Sequence, residues 1–276
     1  MKTQEKRGKA VLAPLIFAIN IINSMKSPTP GTALPRLSPP PDTSASPPTG
    51  SLATPSDIYK IPSSTKGFFM AAKTRIHLHQ NDLPASLKWG GAVAIDTEAM
   101  GLNNHRDRLC LVQLSSGNGE AHLVQIAPGK VNAPNLKKLL TDSKVEKLFH
   151  FGRFDIAILQ HNLGIHIKNV YCTKIASRLC RTFTDKHNLA TLCRELLSVE
   201  LNKQQQSSDW GQTKLTKEQM TYAADDVLYL HRLREKLDVM LEREGRTKLA
   251  RACFDFLPVR AQLDTEGWPE IDIFAH

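Results

Sequence analysis

Apolar periodicity begins at about Thr74 and runs without a break to the C-terminus of this 276-residue chain, and that boundary limits what the chain can build. Before it, large apolar residues are sparse and proline is concentrated: 11 of the 16 prolines precede residue 70. The stretch from about Ser27 to Lys66 is rich in Pro, Ser, Thr and Gly. It cannot bury enough surface to offset the entropy of ordering. The composition therefore predicts a disordered extension over residues 1–72 and a single folded domain over residues 73–276. Some 200 residues suffice for one well-buried core.

The first residues carry a second signal. Lys2, Lys6, Arg7 and Lys9 precede an apolar stretch from Val11 to Ile22 that is interrupted by Pro14 and Asn20. A basic start followed by apolar residues has the form of a targeting segment, although no A-x-A-like cleavage site follows closely. The stretch is too short for a membrane span, which needs roughly 20 residues. An over-extended reading frame, with the functional start at Met70, accounts for the same residues, and both readings stand. The folded domain is expected to have no membrane association.

The formal charge of +9 is split between a surplus of +5 in residues 1–69 and +4 in the remainder. A mildly basic domain is compatible with a polyanionic partner, and solubility explains it equally well. The five cysteines, Cys110, Cys172, Cys180, Cys193 and Cys253, are widely spaced and include no C-x-x-C pair. Buried free thiols are the expected reading, which suits a reducing, cytoplasmic setting.

Within the folded part, Thr74–Gln80 reads as a first strand and Leu83–Leu87 as a short helix. Gly91–Asp96 is an apolar run ending in an acid, the pattern of a buried strand. Leu109–Leu114 and Ala121–Ile126 read as two more strands, joined by the turn-like Ser115–Gly119. Short loops between these three strands predict antiparallel pairing. A helix at Asn135–Leu140, a strand at Val145–Phe151 and a helix at Phe154–Leu163 closed by Gly164 follow. Beyond Cys172 the pattern is almost wholly helical, with Lys174–Arg181, Leu189–Leu197 and a longer helix from Thr216, where Thr216 and Gln219 fit a capping box. The fold class is α/β, with a mixed sheet flanked by helices and a helical C-terminal part.

The residues that carry chemistry are acids. Asp96 and Glu98 flank Thr97, and positions i and i+2 of a strand share a face. Two anions on an apolar strand are costly to bury unless something neutralises them. Asp155 opens the helix after the fourth strand, where an acid also suits the helix dipole. Tyr222 and Asp226 are spaced i, i+4 and share one helical face, while Asp225 is rotated away by about 100° and is expected to be a solvated surface acid. Each residue alone has an ordinary explanation, as a cap, a solvated acid or a half-buried tyrosine. Together, four acids and a tyrosine suit a site for two hard divalent cations, Mg²⁺ or Mn²⁺, some 4 Å apart. Tyr222 would then orient an attacking water.

Asp96-Thr-Glu98, Phe149-His-Phe-Gly-Arg-Phe-Asp155 and Tyr222-x-x-x-Asp226 resemble the three ordered motifs of the DEDDy nucleases. Residues from about 74 to 276 resemble ribonuclease D, in particular the short single-domain forms of alphaproteobacteria. Gln206-Ser-Ser-Asp-Trp210, with Leu215, Gln219 and Tyr222, resembles the family stretch before its third motif. The resemblance implies an RNase H-like fold and 3′–5′ release of nucleoside 5′-monophosphates from RNA, with trimming of tRNA or structured RNA ends among the expected tasks. It implies metal ligation by Asp96, Glu98, Asp155 and Asp226, with Tyr222 positioning the nucleophile.

The resemblance also places Met100, Gly101 and Leu102 against the terminal nucleotide, with Leu102 either packing on its base or closing the loop as a core residue. His150 stands where many relatives carry Asn or Gln, and reads as a phosphate or sugar contact or as a satisfied core histidine. Of the basic residues Arg106, Arg108, Arg153 and Lys203, Arg153 is the expected phosphate contact because it adjoins Asp155. Trp210 reads as a core anchor rather than a base-stacking platform.

Two departures matter. Thr213-Lys214 replaces a frequent Arg-Pro, and the chain ends fifty residues after Asp226, without the helical RNA-binding domains of longer relatives. Low affinity for structured RNA, or affinity supplied by a partner subunit, is the corresponding expectation. The catalytic motifs contain nothing that reads a 2′-hydroxyl, so a 3′–5′ DNA exonuclease remains an alternative. A catalytically silent RNA-binding scaffold is the alternative outside enzymes, and the complete acid set argues against it.

Overall fold

The structure, a computed structural model, describes residues 74–129, 131–201, 205 and 208–275. The proline-rich segment, the apolar stretch Val11–Ile22, Met70 and most of the polar loop Lys203–Gln206 lie outside the described residues. Six strands form one mixed sheet: β1 (Arg75–Gln80), β2 (Ala92–Ala99), β3 (Leu109–Ser115), β4 (Glu120–Gln125), β5 (Glu146–Phe149) and β6 (Val170–Cys172). Their order is β1-β4-β3-β2-β5-β6. The meander β2-β3-β4 is antiparallel, as its short connections dictate, while β1, β5 and β6 each join in parallel.

Seven helices are described: α1 (Pro134–Thr141), α2 (Arg153–Leu163), α3 (Thr173–Cys180), α4 (Leu189–Leu197), α5 (Lys217–Leu228), α6 (Leu230–Arg243) and α7 (Thr247–Glu266). Strand alternation divides the sheet into two faces. Val93, Ile95, Val112 and Val124 join the large core with Leu136, Ile156 and Leu159. Leu111 and Leu123 face the other way and pack with Trp210, Leu215 and Ala223 beneath α5. Among the described residues, no helix is long and apolar enough to cross a membrane.

Several elements differ from the sequence-based expectation. Residues 83–87 form a turn, not a helix. Pro84 lacks a backbone donor, and the polar group beside it is used at long range: the Asp82 carboxylate accepts from the backbone N–H groups of Asn135 and Leu136 at 3.0 and 2.9 Å and from the Asn135 amide at 2.9 Å. It thereby caps α1, whose own preceding residue, Ala133, has no side chain to do so. β5 stops at Phe149 because Phe151 adopts a left-handed φ of 64° and turns the chain into α2. A Cβ on Gly152 would collide with the Phe149 ring, so this turn requires glycine. The helix starting after Thr216 breaks at Tyr229, whose φ of −105° and ψ of −7° end α5 and start α6. The capping box at Thr216 and Gln219 is formed with both reciprocal bonds.

Replacing Asp82 by Ala removes the cap on α1 and leaves its first N–H groups without a protein acceptor. Equilibrium urea unfolding is expected to show a loss of about 1–2 kcal/mol, with the metal-linked properties of the acid cluster unchanged.

Candidate active site

β2 carries Asp96 and Glu98 within the strand rather than beyond its end. Asp96 lies opposite Gln113 and Glu98 opposite Leu111, so both acids share the face that packs under α5. α5 approaches that face through the small buried residues Ala223 and Ala224, which leaves Tyr222 and Asp226 to point at the strand acids one helical turn apart. A carboxylate oxygen from each of Asp96, Glu98 and Asp226 lies within 4.8 Å of the others. Asp155 enters from the first turn of α2 and is 6 % exposed. Its Oδ1 accepts a hydrogen bond of 2.6 Å from the Thr97 hydroxyl.

The electrostatics of this cluster are those of a site lacking its counter-charge. Burial, then Asp226 and Asp155, push the Glu98 carboxyl up to about 9. Burial, then Asp225 and Asp155, raise Asp226 to about 7. Burial raises Asp155 to about 6 against the opposing hydrogen bond from Thr97. Asp96 is held well above the ordinary carboxylate range by burial and by the other three acids. Among the described residues, no lysine or arginine forms an ion pair with any of the four. Two unit negative charges within 4.8 Å repel by roughly 3.5 kcal/mol or more at an effective dielectric near 20. An all-oxygen, uncompensated donor set fits a hard divalent cation. Burial and the charges of Asp226, Glu98 and Asp96 also push the Tyr222 phenol far above its ordinary value. It is therefore a neutral hydroxyl facing the acids, with its ring centroid 6.1 Å from that of Trp210.

The other sequence-predicted residues divide. Met100 and Leu102 are exposed apolar side chains on the loop after β2. Gly101 is packed against the Asp107 side chain, and the Met100 thioether sits against Gly211, so a Cβ at either glycine would collide. His150 meets α3, its Nδ1 lying 2.9 Å from Thr173 Oγ1. Arg153 is engaged by α7 and the segment after it. Its guanidinium forms a bidentate pair with Asp264 on α7, Nε to Oδ2 at 2.6 Å and Nη2 to Oδ1 at 2.7 Å, and this use of its donors removes the basis for expecting a phosphate contact. Arg106 pairs with Asp107, and Arg108 donates to the Ile126 and Gly211 carbonyls. Trp210 is buried in the cluster beneath α5, the place of a core anchor.

Asp225 differs from the expected surface acid, being half-buried and raised by burial. Its neighbours include Cys193 on α4 and Tyr229, both of which sense its charge. Two further polar residues lie near the acids. Gln113 is fully buried, with Nε2 at 3.5 Å from Asp96 Oδ2; a glutamine in an otherwise apolar strand was the available signal. Thr97 is the other.

A family model described as a 3′–5′ exonuclease matches residues 78–242. The chain belongs to that family. This exonuclease family depends on divalent metal ions, in keeping with the uncompensated carboxylates. Ribonuclease D of Gluconacetobacter diazotrophicus is 34 % identical over 154 residues, which is 56 % of this chain and 39 % of that protein. The chain thus spans about two-fifths of the length of the ribonuclease D relatives it matches. The structure of Brucella melitensis NrnC bound to pGG is 56 % identical with a TM-score of 0.72, covering 74 % of this chain and 99 % of that one. NrnC has also been solved with bound Mg²⁺. Escherichia coli RNase D is 28 % identical with a TM-score of 0.55, over 65 % of this chain and 48 % of that one.

The acid cluster has a pH signature. An acid whose folded-state value exceeds its unfolded value contributes no penalty below the unfolded value and an increasing one as pH rises toward the folded value. For Glu98 that window runs from the ordinary 4.5 to about 9. Without metal, Glu98→Gln is expected to become progressively more stable than the parent between pH 5 and 8. Saturating divalent cation should reverse the order. Thermal melts of both proteins, each with and without chelator, measure it.

Proposed function

We propose that the chain is a metal-dependent 3′–5′ exoribonuclease in which Asp96, Glu98, Asp155 and Asp226 hold two divalent cations, Mg²⁺ or Mn²⁺. The observation that carries the reading is the convergence of Asp96, Glu98 and Asp226 within 4.8 Å, with the Tyr222 hydroxyl facing them from one turn earlier on α5. Bound ions of this kind supply charge neutralisation and a more acidic water for in-line phosphoryl displacement. The chain's own residues do the rest. Tyr222, neutral across the physiological range, offers a hydroxyl that accepts or donates a hydrogen bond and so orients the attacking water. Met100, Gly101 and Leu102 present an apolar edge on which a terminal base packs.

RNA is the proposed substrate, entering by single-stranded 3′ ends. The ribonuclease D relatives support RNA, and the pGG bound by NrnC supports short oligonucleotides. His150 adds a specific argument. The single hydroxyl proton of Thr173 is directed to the Phe149 carbonyl at 3.2 Å, so Thr173 Oγ1 accepts from His150 Nδ1. The imidazole, lowered to about 3 chiefly by burial, is neutral and keeps Nε2 as an acceptor. Such a group suits a ribose hydroxyl rather than a phosphate, and the 2′-hydroxyl is what separates RNA from DNA. The domain spanning residues 73–276 is the catalytic unit in this reading, and the free thiols, four of them buried, fit a reducing cytoplasmic compartment.

Digestion of matched 5′-labelled RNA and DNA oligomers, with and without Mg²⁺ or Mn²⁺, tests the proposal. A metal-dependent ladder of single-nucleotide steps on RNA is expected. Asp155→Ala should abolish it, and Tyr222→Phe should lower kcat by about 100-fold, the scale of a lost proton-handling group. Preferred digestion of DNA, internal cleavage, or full activity in Asp155→Ala would each overturn it.

A further inference from the structure

Thr97 stands between two of the proposed metal ligands and points the other way. Strand alternation sends Asp96 and Glu98 to the face under α5 and Thr97 to the opposite face, where Val112, its partner on β3, enters the large core. There its hydroxyl donates to Asp155 Oδ1 at 2.6 Å, in a buried contact between residues 58 apart in sequence. Gly152 stands at the N-cap of α2 and has no side chain to cap it, and Asp155 is the acid of its first turn. A threonine χ1 is restricted by its branched Cβ. One oxygen of Asp155 is therefore tied to the same stretch of backbone that carries Asp96 and Glu98. Backbone N–H groups of Thr97 and Asp155 also act on this carboxylate, and the side-chain bond fixes Oδ1.

We propose that Thr97 is a positioning residue that makes the site selective for Mg²⁺ over Ca²⁺, by holding Asp155 as a single-oxygen ligand at a fixed offset from the β2 acids. The inference rests on the metal-site reading above. Mg²⁺ requires near-octahedral geometry with short bonds, whereas Ca²⁺ accepts six to eight oxygens in flexible arrangements, including two from one carboxylate. Holding Oδ1 on a hydroxyl disfavours the bidentate mode. Releasing it loosens the constraint that Mg²⁺ needs and costs Ca²⁺ little.

The test is calorimetric titration of MgCl₂ and, separately, CaCl₂ into the metal-stripped full chain, for the parent, Thr97→Val, Thr97→Ser and Asp155→Asn. Thr97→Val is expected to lose Mg²⁺ affinity by about 10–100-fold, the usual scale for removing a group that orients a ligand. Its Ca²⁺ affinity should change much less, and Thr97→Ser, which keeps the hydroxyl, should stay near the parent for both ions. With RNA and Mg²⁺, kcat should fall in Thr97→Val while KM holds. Equal loss of both ions in Thr97→Val marks a merely structural role and overturns the proposal, as does unchanged Mg²⁺ binding. If Thr97→Val does not fold, Thr97→Ala carries the same two-ion comparison. A parent that binds no Mg²⁺, or an Asp155→Asn variant that binds it like the parent, refutes the metal-site reading itself and the proposal with it.

Discussion

Four carboxylates crowd one end of this sheet, and the rest of the structure is what holds them there against their own repulsion. The force that opposes them is apolar burial on both sides of β2. On one face, Ala223 and Ala224 bring α5 down close to the strand. On the other, Ile156 and Leu159 seat α2 on the large core so that Asp155 arrives beside Thr97. Neither helix could place its acid without that packing, because no cation among the protein's described side chains offsets the cluster. The folded chain thus carries an electrostatic deficit in one spot, a common signature of sites whose charge is completed by a ligand.

Each element contributes one part of the geometry and little else. The strand supplies a two-residue period that aims Asp96 and Glu98 together. The helix supplies a four-residue period that aims Tyr222 and Asp226 together. The turn at Phe151 and Gly152 supplies the third direction, because a left-handed residue followed by glycine lets β5 end abruptly and α2 begin at once. Family resemblance and local periodicity agree on these placements for the same physical reason, since the spacings that define the motifs are the repeats of strand and helix.

That agreement explains what was legible in the sequence. Asp96 with Glu98, and Tyr222 with Asp226, could be grouped from local repeats alone, as could the antiparallel meander with its short loops. Long-range commitments of polar side chains could not. Asp82 reaches across 53 residues to cap α1, which turned an expected helix into a turn. Arg153 reaches across 111 residues to Asp264, a commitment to α7 that no local repeat announces. β6 is three residues long, too short for any period to show, and the break at Tyr229 has neither proline nor glycine to announce it. The half-burial of Asp225 is hidden for the same reason, because helical rotation describes one helix and says nothing of a neighbour such as Cys193 on α4.

The pairing of Arg153 with Asp264 gives the C-terminal helix a mechanical relation to the acids. Arg153 and Asp155 share the first turn of α2, and α7 holds that turn by two parallel hydrogen bonds. α7 is therefore anchored to the turn that brings in the one carboxylate from outside the strand and α5. The C-terminal helix is in this way part of the frame that fixes where Asp155 enters, although it carries none of the four acids itself.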